Sequence, residues 1–192
     1  MSASLSPRAR TVAFLPIGHI EGEVPRRVRM GLCQVLGVEC AVLEFVPRPL
    51  AAYDYGRAQY RASAVLARAA RERPAADAFV FALFAPDLFE EPYNFTFGEV
   101  DREHGAALLS LARLQPAFYG EPDEEDRLVA RAIVEAVYQL GRLLGLGTCD
   151  DPTCPMTPSN GTADVDAKQP RLCPECEAAL DALEHRANVD TP

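Results

Sequence analysis

Only three histidines occur in this chain of 192 residues, His19, His104 and His185, and no two lie at the spacing of paired metal ligands on a helix. A histidine-built metal centre is therefore not expected. No apolar run approaches the roughly 18–20 residues that a membrane-spanning helix requires. The opening stretch, Met1 to Arg8, holds no apolar core of the signal-peptide kind, so the expected setting is the cytoplasm. Positive charge is in deficit: 19 Lys and Arg against 28 Asp and Glu leave a net charge of -9. A surface of that sign repels phosphate backbones and argues against direct contact with nucleic acid. Internal repeats and linker-like stretches are absent as well, and 48% hydrophobic residues suffice for one cored domain.

The pattern that remains is of mixed α/β type. Thr11 to Ile17 reads as a buried strand, and Pro25 opens a helix whose apolar positions Val28, Leu32 and Val35 recur at helical spacing. Val38 to Val46 reads as a second strand and Arg57 to Arg73 as a helix ended by Pro74. The continuous apolar run Ala78 to Ala85 suits a central strand buried on both faces. Tyr93 to Gly98 suggests a shorter strand or turn, and Ala106 to Leu114 another strand. Asp126 to Leu146 is the longest helix, with carboxylates at its start and Gly145 and Gly147 at its end. A Pro-, Asp- and Thr-rich loop from Cys149 to Cys176 follows, then a short helix over Pro174 to His185. The expected division is a flexible start over residues 1–10, one domain over 11–185 and a flexible tail over 186–192.

Four of the six cysteines crowd into that loop. Cys149 and Cys154 form a C-x4-C element and Cys173 and Cys176 a C-x2-C element, with 18 residues between them. Two such knuckles make the four-thiolate set that closes a tetrahedral Zn²⁺ site. A loop so poor in large apolar residues cannot hold itself by burial, and ordering it costs roughly 1–2 kcal/mol per residue. A metal joining both ends supplies what the missing core does not. With four protein ligands no coordination position stays open, so the expectation is one structural Zn²⁺ per chain. Free or redox-active thiols are the weaker reading. Cys33 and Cys40 read as buried, inert thiols.

Gly145, Cys149, Cys154, Met156, Cys173 and Cys176 lie in the order found in archaemetzincins, and the chain resembles that family of zinc metalloproteases. Its signature is H-E-x-x-H-x-x-G-x-x-H-C-x4-C-x-M followed by C-x2-C. The resemblance extends to Asp87-Leu88-Phe89, Asn94 to Gly98, Ser110 to Leu114, Asn160 and Asp166 to Lys168, and so spans residues 11 to 180. It implies a single-domain, metzincin-like α/β (α+β) fold with a mixed sheet, an active-site-type helix and a C-terminal region bound to zinc through four cysteines. The family's histidine positions fall here on Tyr138, Arg142 and Thr148, and its glutamate on Gln139. A neutral phenol is a poor zinc ligand, a guanidinium cannot deprotonate, and an amide cannot take a proton from water as a carboxylate does.

Two functional expectations follow. The first is a non-catalytic pseudo-metalloprotease, similar to the inactive CarG group, acting as a transcriptional co-regulator. That likeness implies a CarD-type DNA-binding partner and, through it, RNA polymerase, with no contact to DNA itself. Tyr138 and Arg142, four residues apart on one helix face, then either fill the space of the lost metal or bind a partner segment with Arg142 pairing an acidic side chain. The second is a zinc metallopeptidase or other hydrolase with a repurposed cleft, for which Asp87, Glu90, Glu91 and Glu99 are candidate ligands or acid–base groups.

Overall fold

The computed structural model describes residues 11–189, and the expected flexible start, residues 1–10, lies outside them. Of the expected flexible tail, residues 186–189 continue the last helix and 190–192 lie outside the described part.

Strand β1, Thr11–Ile17, forms from a run in which every residue but the first and Pro16 is buried. Helix α1, Val24–Leu36, places Val24, Val28, Leu32 and Leu36 in one buried line and ends at Gly37, whose positive φ of 62° suits glycine. Strand β2, Glu39–Val42, runs parallel to β1. It is shorter than the sequence suggests, because beyond Val42 pairing resumes only at a single bridge between Ile17 and Val46. Cys33 and Cys40, expected as separate buried thiols, are instead half-buried and bonded to each other, tying α1 to β2.

The expected helix from Arg57 begins later. Gln59–Arg61 forms strand β4, held between β3, Tyr53–Asp54, and β6, Leu88–Phe89, and helix α2 occupies Ala62–Ala70. Strand β5, Phe79–Phe84, is the central strand its apolar run predicts, paired in parallel with β1 and with β8, Ala106–Ser110. Strand β7, Gly98–Asp101, follows the aromatic segment rather than lying in it, and pairs antiparallel with β8. The main sheet therefore runs β2-β1-β5-β8-β7, mixed in direction, with β7 at one edge.

Alternation along β5 sends its side chains to two cores. Phe81 and Leu83 pack with α1 and with α3, Glu125–Leu144, whereas Val80, Ala82 and Phe84 pack with α2. Helix α3 carries the largest share of the first core, including Ala132, Ala136, Val137, Leu140 and Leu144. A short helix α4, Thr162–Asp166, interrupts the expected loop, and α5, Pro174–Val189, closes the chain.

At Gly98 the edge strand packs closely against both β8 and α3. A Cβ there would lie 2.2 Å from the Leu108 carbonyl oxygen and 2.9 Å from Cγ of Gln139. Backbone cannot yield as a side-chain tip can, so Gly98→Ala is expected to cost on the order of 1–3 kcal/mol. Urea unfolding should show a lower midpoint with an unchanged slope.

Candidate functional site

Helix α3 turns an unusual row of polar side chains inward. Arg131, Glu135 and Gln139, each four residues from the next, are all buried. Each meets the segment that follows Met156 or the edge strand. Arg131 donates from Nε and Nη2 to the two oxygens of Asp166, both at 2.7 Å, and from Nη1 to the Leu114 carbonyl at 3.0 Å. The Asp166 carboxyl is held below the usual carboxylate range chiefly by those Arg131 hydrogen bonds. Glu135 accepts a 2.6 Å hydrogen bond from Ser159 and lies 3.6 Å from the Lys168 ammonium. Lys168 also donates to Ser159 Oγ at 2.5 Å and to the Thr157 carbonyl. Burial pushes the Glu135 carboxyl up and the Lys168 ammonium down, each disfavouring its charge, and their pairing opposes both shifts. Gln139 leaves its Oε1 buried with no partner.

Two sites are built on this frame. The first is the cysteine cluster. After Gly145 ends α3 with φ 110°, Cys149 donates its N–H to the Met156 carbonyl at 3.1 Å, and Thr157 Oγ1 donates back to the Cys149 carbonyl at 2.9 Å. Met156 itself packs against Gly141: a Cβ on that glycine would lie 2.6 Å from the Met156 sulfur. The turn thus returns Cys154 toward Cys149, while the start of α5 brings Cys173 and Cys176. All four sulfurs lie within 4.8 Å of one another, and Cys149 and Cys173 are 3.7 Å apart. A tetrahedron with Zn–S near 2.3 Å has an edge of about 3.8 Å, so this donor set fits zinc. The backbone N–H of Cys176 lowers the Cys173 thiol, whereas burial raises Cys149 and Cys176.

The second is a cleft of about 660 Å³ between α3 and the segment Glu90–Glu99, closed on a third side by Pro158–Asn160. Tyr138, Gln139, Arg142 and Thr148 all line it, so the structure brings together the four positions that the family resemblance singles out. Burial raises the Tyr138 phenol above its ordinary range, against the pull of the neighbouring Arg142 cation. The Arg142 guanidinium lies over the Tyr138 ring, 5.5 Å from its centre. None of the three histidines lines the cleft. A phenol, an amide, a guanidinium and a hydroxyl are not a zinc donor set, so these residues do not fit a metal ion here.

The candidate acids separate clearly. Asp87 lies outside the cleft in a two-pronged pair with Arg113, both contacts 2.8 Å. Glu90 and Glu91 reach the cleft but pair with Arg61 at 3.3 and 3.5 Å. Glu99 lines the cleft with no cation partner among the described residues, its Oε1 accepting the Val100 N–H at 3.0 Å. Sequence reasoning missed Glu135, Ser159 and Arg131, and it marked Asp166 to Lys168 only as a block of the resemblance, without their partners on α3. The available signal was a glutamate in the apolar stripe of the longest helix.

Comparison with known proteins bears directly on function. The family described as Peptidase family M54 matches residues 44–182. The archaemetzincin of Methanocaldococcus jannaschii is 33% identical over 165 residues, 86% of this chain and 89% of that one. Among solved structures, the zinc-dependent peptidase of Methanocorpusculum labreanum superposes with TM-score 0.79 at 26% identity, covering 88% of this chain and 99% of the other. The archaemetzincin of Methanopyrus kandleri gives 0.77 at 28% identity, covering 95% and 100%. These likenesses bear out the mixed α/β fold and, with the cysteine cluster, zinc as the cofactor. They overturn the expectation of a non-catalytic pseudo-metalloprotease acting as a co-regulator, because the matched family and the relatives are peptidases. The expected CarD-type partner and RNA polymerase link rested on that reading, and no comparison bears on them. No helix among the described residues is long and apolar enough to cross a membrane.

Asp166→Asn tests the frame beneath both sites. A carboxyl whose folded pKa is depressed adds stability above its unfolded pKa, roughly 3.9, which is lost as pH falls through the folded value. Asp166 is partly exposed, so the variant is expected to lose only about 1 kcal/mol at pH 7, a difference that should shrink as pH falls through the folded value. Urea midpoints measured across that range check it.

Proposed function

This chain belongs to peptidase family M54, the archaemetzincins, and on that premise we propose that it is a zinc-containing peptide hydrolase with a repurposed cleft. The observation that carries the reading is the edge strand β7, whose outer side has no strand partner among the described residues and which borders the cleft beside α3. An extended peptide can add to such an edge through its own backbone, leaving alternate side chains to be read by the cleft.

The groups that would act on that peptide stand on opposite walls. Glu99 takes a proton from a water molecule whose oxygen attacks the peptide carbonyl carbon. Tyr138, protonated because burial disfavours the phenolate, donates to the oxygen on which negative charge develops. Collapse breaks the C–N bond, and the proton held by Glu99 passes to the departing amine. The zinc ion belongs, in this reading, to Cys149, Cys154, Cys173 and Cys176, one per chain. Four thiolates leave it no open position, so its contribution is to hold the turn after α3 in shape. The cytoplasmic setting goes with the reading, since clustered thiols hold metal there rather than oxidise. The Cys33–Cys40 bond is the feature that pulls the other way.

Mass spectrometry of peptide mixtures incubated with the purified chain should reveal discrete new termini. Glu99→Gln and Tyr138→Phe should each slow their appearance by about 100-fold or more. No cleavage above buffer, or cleavage indifferent to Glu99→Gln, would sink the assignment. Faster cleavage on binding a second zinc equivalent would place a metal in the cleft and remove these residues from their roles.

Cys149→Ser should lower bound zinc below one ion per chain and lower the melting temperature. Metal analysis alongside thermal unfolding reads both, and full zinc retention would count against the four-thiolate site.

A further inference from the structure

Among the described residues that line the cleft, Arg142 is the cation, and no carboxylate pairs with it. It is half-buried on the last turn of α3, and its backbone carbonyl is fixed by a 2.8 Å hydrogen bond from Arg102 Nε. Among the described residues its guanidinium pairs with no carboxylate and lies over the Tyr138 ring. A guanidinium carries five N–H donors in a planar fork and cannot shed its charge, so partial burial without an acceptor leaves a strong, directional demand.

The acids around it do not meet that demand. Glu90 and Glu91 are taken by Arg61, and Glu135 by Lys168 and Ser159. Glu99 is close enough for its charge to act on Tyr138, as Arg142's does, yet it makes no ion pair with Arg142. The Thr148 hydroxyl lines the same cleft and is a further donor there. A planar anion accepting two parallel hydrogen bonds is the chemistry that this cluster matches.

We infer that Arg142 is a specificity residue that binds a carboxylate of the peptide lying in the cleft. The inference rests on the peptide-cleft reading above and names its substrate class. The carboxylate is either the free C-terminus or an Asp or Glu side chain. Both present the same planar oxygen pair, at different places along the peptide.

Three labelled peptides of equal length separate these sources: a neutral one with a free C-terminus, an amidated one with a single Glu, and an amidated neutral one. Fluorescence anisotropy against the zinc-loaded full chain should show a carboxylate-bearing peptide binding at least ten-fold tighter than the neutral amide. Which of the two is preferred identifies the source. Arg142→Ala should erase that preference, and Arg142→Lys, keeping the charge but not the fork, should restore only part of it. Melting temperature and zinc content of both variants check that they fold; should Arg142→Ala fail to, the peptide comparison on the parent chain still decides. Equal binding of all three peptides, or a preference that survives Arg142→Ala, overturns the carboxylate assignment and leaves the peptide cleft standing. Binding of none overturns both.

Discussion

The junction of Glu135, Lys168 and Ser159 is the contact on which both sites depend. It joins the middle of α3 to the chain beyond Met156, alongside the apolar packing of Val165 and Leu180 in the same core. Breaking a buried pair by removing one partner leaves the other charge uncompensated, a cost of about 3–5 kcal/mol. Replacing both partners by apolar groups is a different matter and can be neutral. What the ionic version supplies beyond stability is geometry: Lys168 reaches the Thr157 carbonyl and Ser159 at once, and so fixes the path of the chain along one wall of the cleft. Arg131 and Asp166 repeat the device one turn earlier on the helix.

The thiol cluster and the cleft are therefore two ends of one assembly. Cys149 and Met156 are hydrogen-bonded neighbours across the turn, Met156 packs on Gly141, and Gly141 adjoins Arg142. A metal holding the four sulfurs would stiffen the turn that places Thr148 and Pro158–Asn160 around the cleft. Zinc thus has a route to influence peptide handling without an open coordination position.

Much of the fold was legible because burial writes itself into the chain as apolar runs. Strands β1 and β5 and helix α3 were readable for that reason, and so was the cysteine cluster, where spacing alone announces the chemistry. The misreadings occurred where tertiary pairing overrode local pattern. Gln59–Arg61 is strand because Tyr53–Asp54 and Leu88–Phe89 lie on either side of it. The segment 93–98 suggested a short strand or turn; Phe95 stacks under the Arg113 guanidinium, and the strand begins only at Gly98, where close approach to β8 is possible. Within the site, Tyr138, Gln139 and Arg142 could be placed on one helix from spacing. Glu99 was legible only as one of four candidate acids, and Ser159 not at all, being brought in by contacts distant in sequence. The inference from residue types to a protein without activity outran what residue types alone can carry, and family membership corrects it.

The packing of Met156 on Gly141 constrains how this chain can change over generations. Sulfur occupies the space where any side chain at 141 would begin, so the two positions are not free to drift separately. A larger residue at 141 is accessible only after 156 has become smaller, and the intermediate carries a void against the helix. The order of the two substitutions therefore matters, and descendants that differ at one position should differ at the other.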